Sequence, residues 1–448
     1  MQRGCLFFCM ASSRPPKKEI EPQKTNGYIL IPIPKEEIMI NFQSCLEKYA
    51  ELAVKIAVNI QPGQSLWISA PIHQPEFVRL VTEQAYKAGA KLVHIEWQDE
   101  ISTQIKYRLA PDEAFETYPA WRAQAVQQFG EEGGAFLFLE SSNPELLKGI
   151  DPKRIAASSK AAGAALAKWR ADMSASRFTW SIIGVPSEGW AKLVFPDLDK
   201  EAAIQALWEA IFKASRADRE QPVQAWREHN ETLHDKRAYL NRKQYKKLHY
   251  RAPGTDLTVE LPDHHIWNGG TAVNAENNPF NPNVPTEEVF TSPRKEGTRG
   301  VVRSSKPLSY QGNLIENFSL TFENGKVVDF SAETGYESLK TMLGIDEAAR
   351  YLGEVALVPH RSPISESNLI FFNTLYDENA SNHLALGDAF PTCVEGGLAM
   401  SREELDQAGL NHSLIHVDFM IGSADMDIDG ITADGAIEPV FRNGNWAF

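Results

Sequence analysis

The chain has 448 residues, is 43% hydrophobic and 23% charged, and carries a formal net charge of −14 at pH 7. Its length supports about two or three domains with sizeable cores, and its acidic balance argues against a nucleic-acid partner. No stretch approaches the roughly 18–20 apolar residues of a membrane span, and Cys5, Cys9, Cys45 and Cys393 are too scattered for a disulfide framework or zinc knuckle, which points to a reducing cytoplasm.

Residues 1–38 read as a disordered tail or a mis-assigned start. The brief apolar run Gly4–Ala11 gives way to Ser-Arg-Pro-Pro-Lys-Lys, and Met39 offers a second start. From Leu46 to Ile60 apolar residues recur at helical spacing, up to Pro62-Gly63. Strands over Ser65–Ala70 and Lys91–Glu96 then flank a helix over Pro75–Ala88. The rhythm continues with a helix around Ala114–Phe129, strand Gly134–Glu140, helix Pro152–Trp169, strand Phe178–Val185 and helix Lys200–Ala214. Such alternation predicts an α/β N-terminal domain with a mainly parallel sheet over residues 39–220. It lacks the glycine motifs of a nucleotide site, and His73 and His94 read as structural or exposed.

Residues 221–248 are polar with helical spacing and read as a connector. Residues 249–448 change character and predict an α+β, strand-rich domain. Strands are expected at Thr255–Leu261, Glu316–Phe322 and Lys326–Phe330, with Asn324-Gly325 as a hairpin turn. Others are expected at Gly353–Leu357, Asn368–Asn373, Ser413–Ile421, Gly430–Thr432 and Ile437–Phe441.

His416-Val-Asp418 lies in an apolar run that reads as a buried strand, so the two polar side chains share one face. An imidazole beside a carboxylate suits a zinc, cobalt or manganese ion. A buried His–Asp hydrogen bond that only orients a core residue suits the pattern equally, since a buried carboxylate needs some partner. Three further segments offer ligands: Glu287-Glu288, Gly353-Glu354 and Glu378-Asn-Ala-Ser-Asn-His383. Asp425-Met-Asp-Ile-Asp-Gly430 resembles a calcium loop, but Ala436 stands where the bidentate Glu is required, so a tight turn into the last hairpin is expected.

Four ordered motifs, Pro-Thr-Glu-Glu-Val-Phe-Thr, Gly-Glu-Val-Ala-Leu-Val, Glu-Asn-Ala-x-x-His-x-Ala-x-Gly and Ile-His-x-Asp-Phe-Met-Ile-Gly-Ser, resemble those of the thermophilic aminopeptidase family, over residue 40 to the C-terminus. The resemblance implies a dinuclear metalloaminopeptidase, usually a homodimer, that releases N-terminal residues from peptides with a metal-activated water. It implies Glu288, Glu354, Glu378, His383, His416 and Asp418 as ligands to two divalent ions, with Glu354 shared between them. Glu287 is the candidate general base, or alternatively a support for Glu288. The family motif His-x-Ala-x-Gly-x-Ala-Tyr-Pro reads here with Phe390 at the Tyr position. Phe has no hydroxyl to offer, which keeps open a catalytically weakened, peptide-binding alternative. Tyr376 is a candidate substitute for that hydroxyl.

Overall fold

The computed structural model describes residues 35–448, apart from 142, 144, 145, 311 and 312. The expected tail therefore lies outside the described residues up to residue 34, and a helix, α1 (Lys35–Leu52), begins inside its last positions. Contacts divide the chain between Gln43 and Ser44, and the second unit, Ser44–Phe448, holds every sheet of the described residues.

Four strands, β1 (Ser65–Pro71), β2 (Leu92–Gln98), β3 (Ala135–Glu140) and β4 (Trp180–Gly184), form a parallel sheet in the order β2-β1-β3-β4. The crossover helix α2 (Pro75–Lys87) shows why this segment folds as it does. Pro75 opens it, Glu76 and Lys87 suit its two ends, and Phe77, Val78, Val81 and Ala85 bury one face. Gly89 follows at φ +97°, where only glycine is comfortable. Central strand β1 is buried almost throughout, whereas edge strand β2 is largely exposed.

Where the sequence predicts one helix over 114–129, the structure has a short turn and then a helix from Ala120, because Pro119 interrupts the pattern. A helix not foreseen, α3 (Glu100–Leu109), is capped by the Asp99 carboxylate and has no buried residue. A 22-residue helix, α4 (Pro222–Lys243), falls within residues 221–248.

The rest is strand-rich, as expected, and its sheets are antiparallel. β5 (Lys247–Ala252) and β6 (Thr255–Glu260) start an eight-stranded antiparallel sheet. Its hairpin Ser319–Glu323/Lys326–Ser331 turns at Asn324 and Gly325, both with positive φ, as the Asn-Gly signal predicts. A two-residue strand, β7 (Asn283–Val284), returns to pair with β4, so the first sheet takes its last strand from residues a hundred positions later. A separate four-stranded antiparallel sheet is made of β8 (Val289–Thr291), β9 (Leu352–Leu357), β10 (His383–Gly387) and β11 (His416–Met420), in that order.

Residues 368–373, expected as a strand, form none. Asn368 and Phe372 have φ of +53° and +54°, and the Asp377 carboxylate accepts the backbone N–H of Phe371 and of Asn373. Those side-chain bonds replace the ladder a strand would need. Asp427 and Asp429 lie in a strand, and Asp429 pairs with Arg251 and Arg442, so the calcium-like run is structural.

Candidate metal centre

The four-stranded sheet brings Glu354, His383, His416 and Asp418 together, with Glu288 just ahead of its first strand; Glu378 lies in neither group of converging ligand atoms. Glu354 on β9 is opposite Ala385 on β10, and Ala385 is opposite Asp418 on β11. Cross-strand partners share a face, so the small Ala385 leaves space between the two carboxylates. His383 enters from the same strand, two residues before Ala385, and His416 lies two before Asp418. The period of two expected for His416 and Asp418 is realised: His416 Nε2 is 3.4 Å from Asp418 Oδ1.

The register between β9 and β10 shifts between Leu352 and Glu354. At this irregularity a Cβ on Gly353 would fall 2.1 Å from the Asp388 carbonyl oxygen, so only glycine fits. Gly353 thus lets the strands close beside Glu354.

Glu288 immediately precedes β8, and its Oε2 is 3.3 Å from His383 Nε2. The Glu354 Oε2 is 3.1 Å from His416 Nε2. Ligand atoms of Glu288, Glu354 and His383 lie within 4.8 Å of one another, as do those of Glu354, His416 and Asp418. Glu354 is common to both groups. Glu378 stands in a short turn ahead of β10, and the charges of Glu288, Asp418, His383 and Glu354 all act on it.

Both imidazoles are oriented by backbone carbonyls. His383 Nδ1 is 3.2 Å from the Ser381 oxygen and His416 Nδ1 is 2.7 Å from the Asp388 oxygen. A carbonyl only accepts, so each Nδ1 carries the proton and each Nε2 faces the carboxylates, the arrangement of a metal-ligating histidine.

The electrostatics ask for a cation. Burial, then neighbouring carboxylates, push Glu354 up to about 7 and Glu378 well above the usual range. Burial alone would lower His383, but Glu288 raises it to about 10. Burial likewise opposes His416, yet Asp418 and Glu354 raise it to about 12. Asp418 Oδ1 is buried and accepts no hydrogen bond. Buried carboxylates, one with an oxygen that accepts no hydrogen bond, and oriented imidazoles are a donor set that fits divalent cations of the zinc, cobalt or manganese type.

Glu287 points elsewhere. Its oxygens lie 2.6 and 3.0 Å from the two terminal nitrogens of Arg216, a bidentate pair with Glu287 almost fully buried. Asn379 Oδ1 accepts the Glu287 backbone N–H at 2.7 Å. His229 Nε2 donates to the Thr286 carbonyl at 2.8 Å, and burial holds this imidazole below its ordinary pKa. Arg216 and His229 have no signal in the sequence, since each lies far along the chain from Glu287 and in no motif; Asn379 stands inside the Glu-Asn-Ala motif, but nothing in the sequence ties it to Glu287.

Phe390 packs on the centre: its ring centroid is 4.7 Å from that of His416. Tyr376 does not supply the missing hydroxyl there. Its ring stacks on Phe371 and its hydroxyl abuts Gly184 on β4.

A buried cluster of carboxylates and imidazoles on a rigid sheet fits a metal-binding site, and likeness to known proteins gives the class. The pattern of the family described as thermophilic metalloprotease (M29) matches residues 42–446. Aminopeptidase 2 of Geobacillus stearothermophilus is 57% identical over 410 residues, covering 92% of this chain and 99% of that one. Aminopeptidase AmpS of Bacillus subtilis is 55% identical over 92% of this chain and 100% of its own. The solved structure of wild-type AmpT from Thermus thermophilus superposes with a TM-score of 0.86 at 42% identity, covering 91% of this chain and all of that one. The chain belongs to the thermophilic metalloprotease (M29) family.

Proposed function

We propose that the chain is a dinuclear metalloaminopeptidase that hydrolyses N-terminal residues from peptides with a free N-terminus. The observation that carries this reading is Glu354, common to two groups of ligand atoms and so suited to be shared by two ions. Glu288, Glu378 and His383 would complete one side, and His416 and Asp418 the other. When bound, zinc, cobalt or manganese would acidify a water and polarise the scissile carbonyl. The identity of relatives named aminopeptidases supports an exopeptidase.

The chain's own residues set the geometry. Ser381 and Asp388 fix the two imidazoles through their carbonyls. We assign Glu287 to positioning rather than to proton transfer. Both of its oxygens are engaged by the two terminal nitrogens of Arg216, and the clamp fixes the backbone that carries Glu288. We retain the division into an α/β domain at 39–220, a connector at 221–248 and a catalytic domain at 249–448, with Asn283–Val284 lent to the first sheet.

A homodimer is supported by α3, which exposes Ile101, Ile105 and Leu109 on one face, with Trp97 and Trp121 also exposed. A cytoplasmic location is supported by the buried free thiols Cys45 and Cys393. No helix among the described residues is long and apolar enough to cross a membrane.

The test is release of free amino acid from unblocked peptides, abolished by chelator, restored by divalent metal, and absent with N-acetylated peptides. Hydrolysis of N-acetylated peptides at an equal rate would refute the aminopeptidase assignment. Phe390 beside His416 favours one second reading, a weakened member that binds peptides; peptide binding without amino-acid release by the metal-loaded chain would establish it.

A further inference from the structure

The metal centre gathers carboxylates, yet a peptide substrate brings a carboxylate of its own. A half-buried ammonium, that of Lys306, lies on a segment bonded to the strand that carries His416 and Asp418. The Ser305 backbone N–H donates to the Met420 carbonyl at 2.8 Å. Met420 is the cross-strand partner of His383. The chain at Lys306 therefore runs beside the strands that carry His383 and Asp418, and Pro307 restricts the backbone just after it.

Burial lowers the Lys306 ammonium, and the charge that acts against this is Asp377, the residue directly before Glu378. Asp377 is not its ion-pair partner. Its oxygens are taken by the N–H groups of Phe371 at 2.7 Å and Asn373 at 3.0 Å. Those bonds hold the intervening Phe372 at φ +54°, an uncommon conformation for a bulky side chain. Among the described residues Lys306 has no hydrogen-bond or ion-pair partner. A partly desolvated ammonium without an acceptor is suited to an incoming anion, and most strongly to a carboxylate.

The substrate limits which carboxylate that is. With the N-terminal residue at the metal centre, the second residue ends about 7 Å further on. We propose that Lys306 binds a carboxylate borne by the second residue of the substrate, giving the enzyme a preference for dipeptides or for an acidic second residue. This rests on the aminopeptidase reading. The α-carboxylate and an acidic side chain share the chemistry and differ in source.

Three substrates with one N-terminal residue separate them: the free-acid dipeptide ending in Gly, its C-terminal amide, and the α-amide with Asp in second place. The metal-loaded full chain should favour one of the two acid-bearing substrates over the glycine amide in kcat/KM. Lys306→Met should cut that ratio about 10- to 100-fold, through KM, and Lys306→Arg should keep most of it. Preference for the free acid assigns the α-carboxylate, and preference for the Asp amide assigns the side chain. Should Lys306→Met not fold, Lys306→Gln reads the same ratio. A ratio unchanged within about twofold, or no preference in the wild type, overturns the proposal while turnover of the glycine amide leaves the aminopeptidase reading intact. Release from none of the three overturns both.

Discussion

The ring of Phe390 lies against the imidazole of His416, centroids 4.7 Å apart and planes inclined by 50°. An imidazole that faces carboxylates on one side is thus packed on the other by a ring with no polar tip. The Phe390 backbone is fixed too, its N–H donating to Ser292 Oγ at 3.0 Å.

Phe390→Tyr places a hydroxyl at a half-buried position on the edge of the centre. The expected result is kcat/KM that rises, by up to about a hundredfold if the hydroxyl stabilises the oxyanion, or stays level. A loss beyond tenfold in steady-state assays would mean that the neighbours have adapted to Phe.

Glu287→Gln separates positioning from base catalysis. Breaking the buried bidentate pair leaves Arg216 uncompensated, so thermal stability should fall, with about 3–5 kcal/mol as the ceiling for such a loss. If the clamp positions Glu288, metal affinity drops on the order of 10- to 100-fold and saturating metal restores most of kcat. A deficit in kcat that persists at saturating metal, in a variant with normal affinity, would make Glu287 the base.

Asp346 anchors the approach to strand β11. Its carboxylate accepts the Leu414 N–H at 2.6 Å, the Ser413 hydroxyl at 3.0 Å and the Ala349 N–H at 2.6 Å. Partial burial pushes Asp346 up, but these donors win and hold it below its ordinary pKa. A depressed folded-state pKa means stability that is complete above the unfolded value of about 3.9 and lost as pH falls through the folded one. Asp346→Asn should lower stability by about 1 kcal/mol at pH 7. The gap in Tm from wild type should narrow as pH drops from 6 toward 3; a gap independent of pH would show that the charge on Asp346 contributes nothing to the anchor.

Much of this was legible in the chain itself, for physical reasons. His416 and Asp418 obey the strand period, and Asn324-Gly325 takes the positive φ its turn requires. The βαβ rhythm survives because each element carries its own pattern. What escaped is non-local. Arg216 meets Glu287 across 71 positions, and Asn283–Val284 joins a sheet begun at Ser65. The apolar run Leu369–Phe372 looks like a strand, but Asp377 takes the N–H groups that would pair it. Phe390 stood out only through the family motif, and its contact with His416 needed the fold.

The central claim is that Glu354 is shared by two ions. Metal content per chain, measured by inductively coupled plasma mass spectrometry after saturation and gel filtration, tests it directly, alongside Glu354→Gln and Asp418→Asn. The account predicts two ions per wild-type chain, loss of tight binding at both positions in Glu354→Gln, and one ion retained in Asp418→Asn. One ion per wild-type chain, or two ions retained in Glu354→Gln, would contradict it.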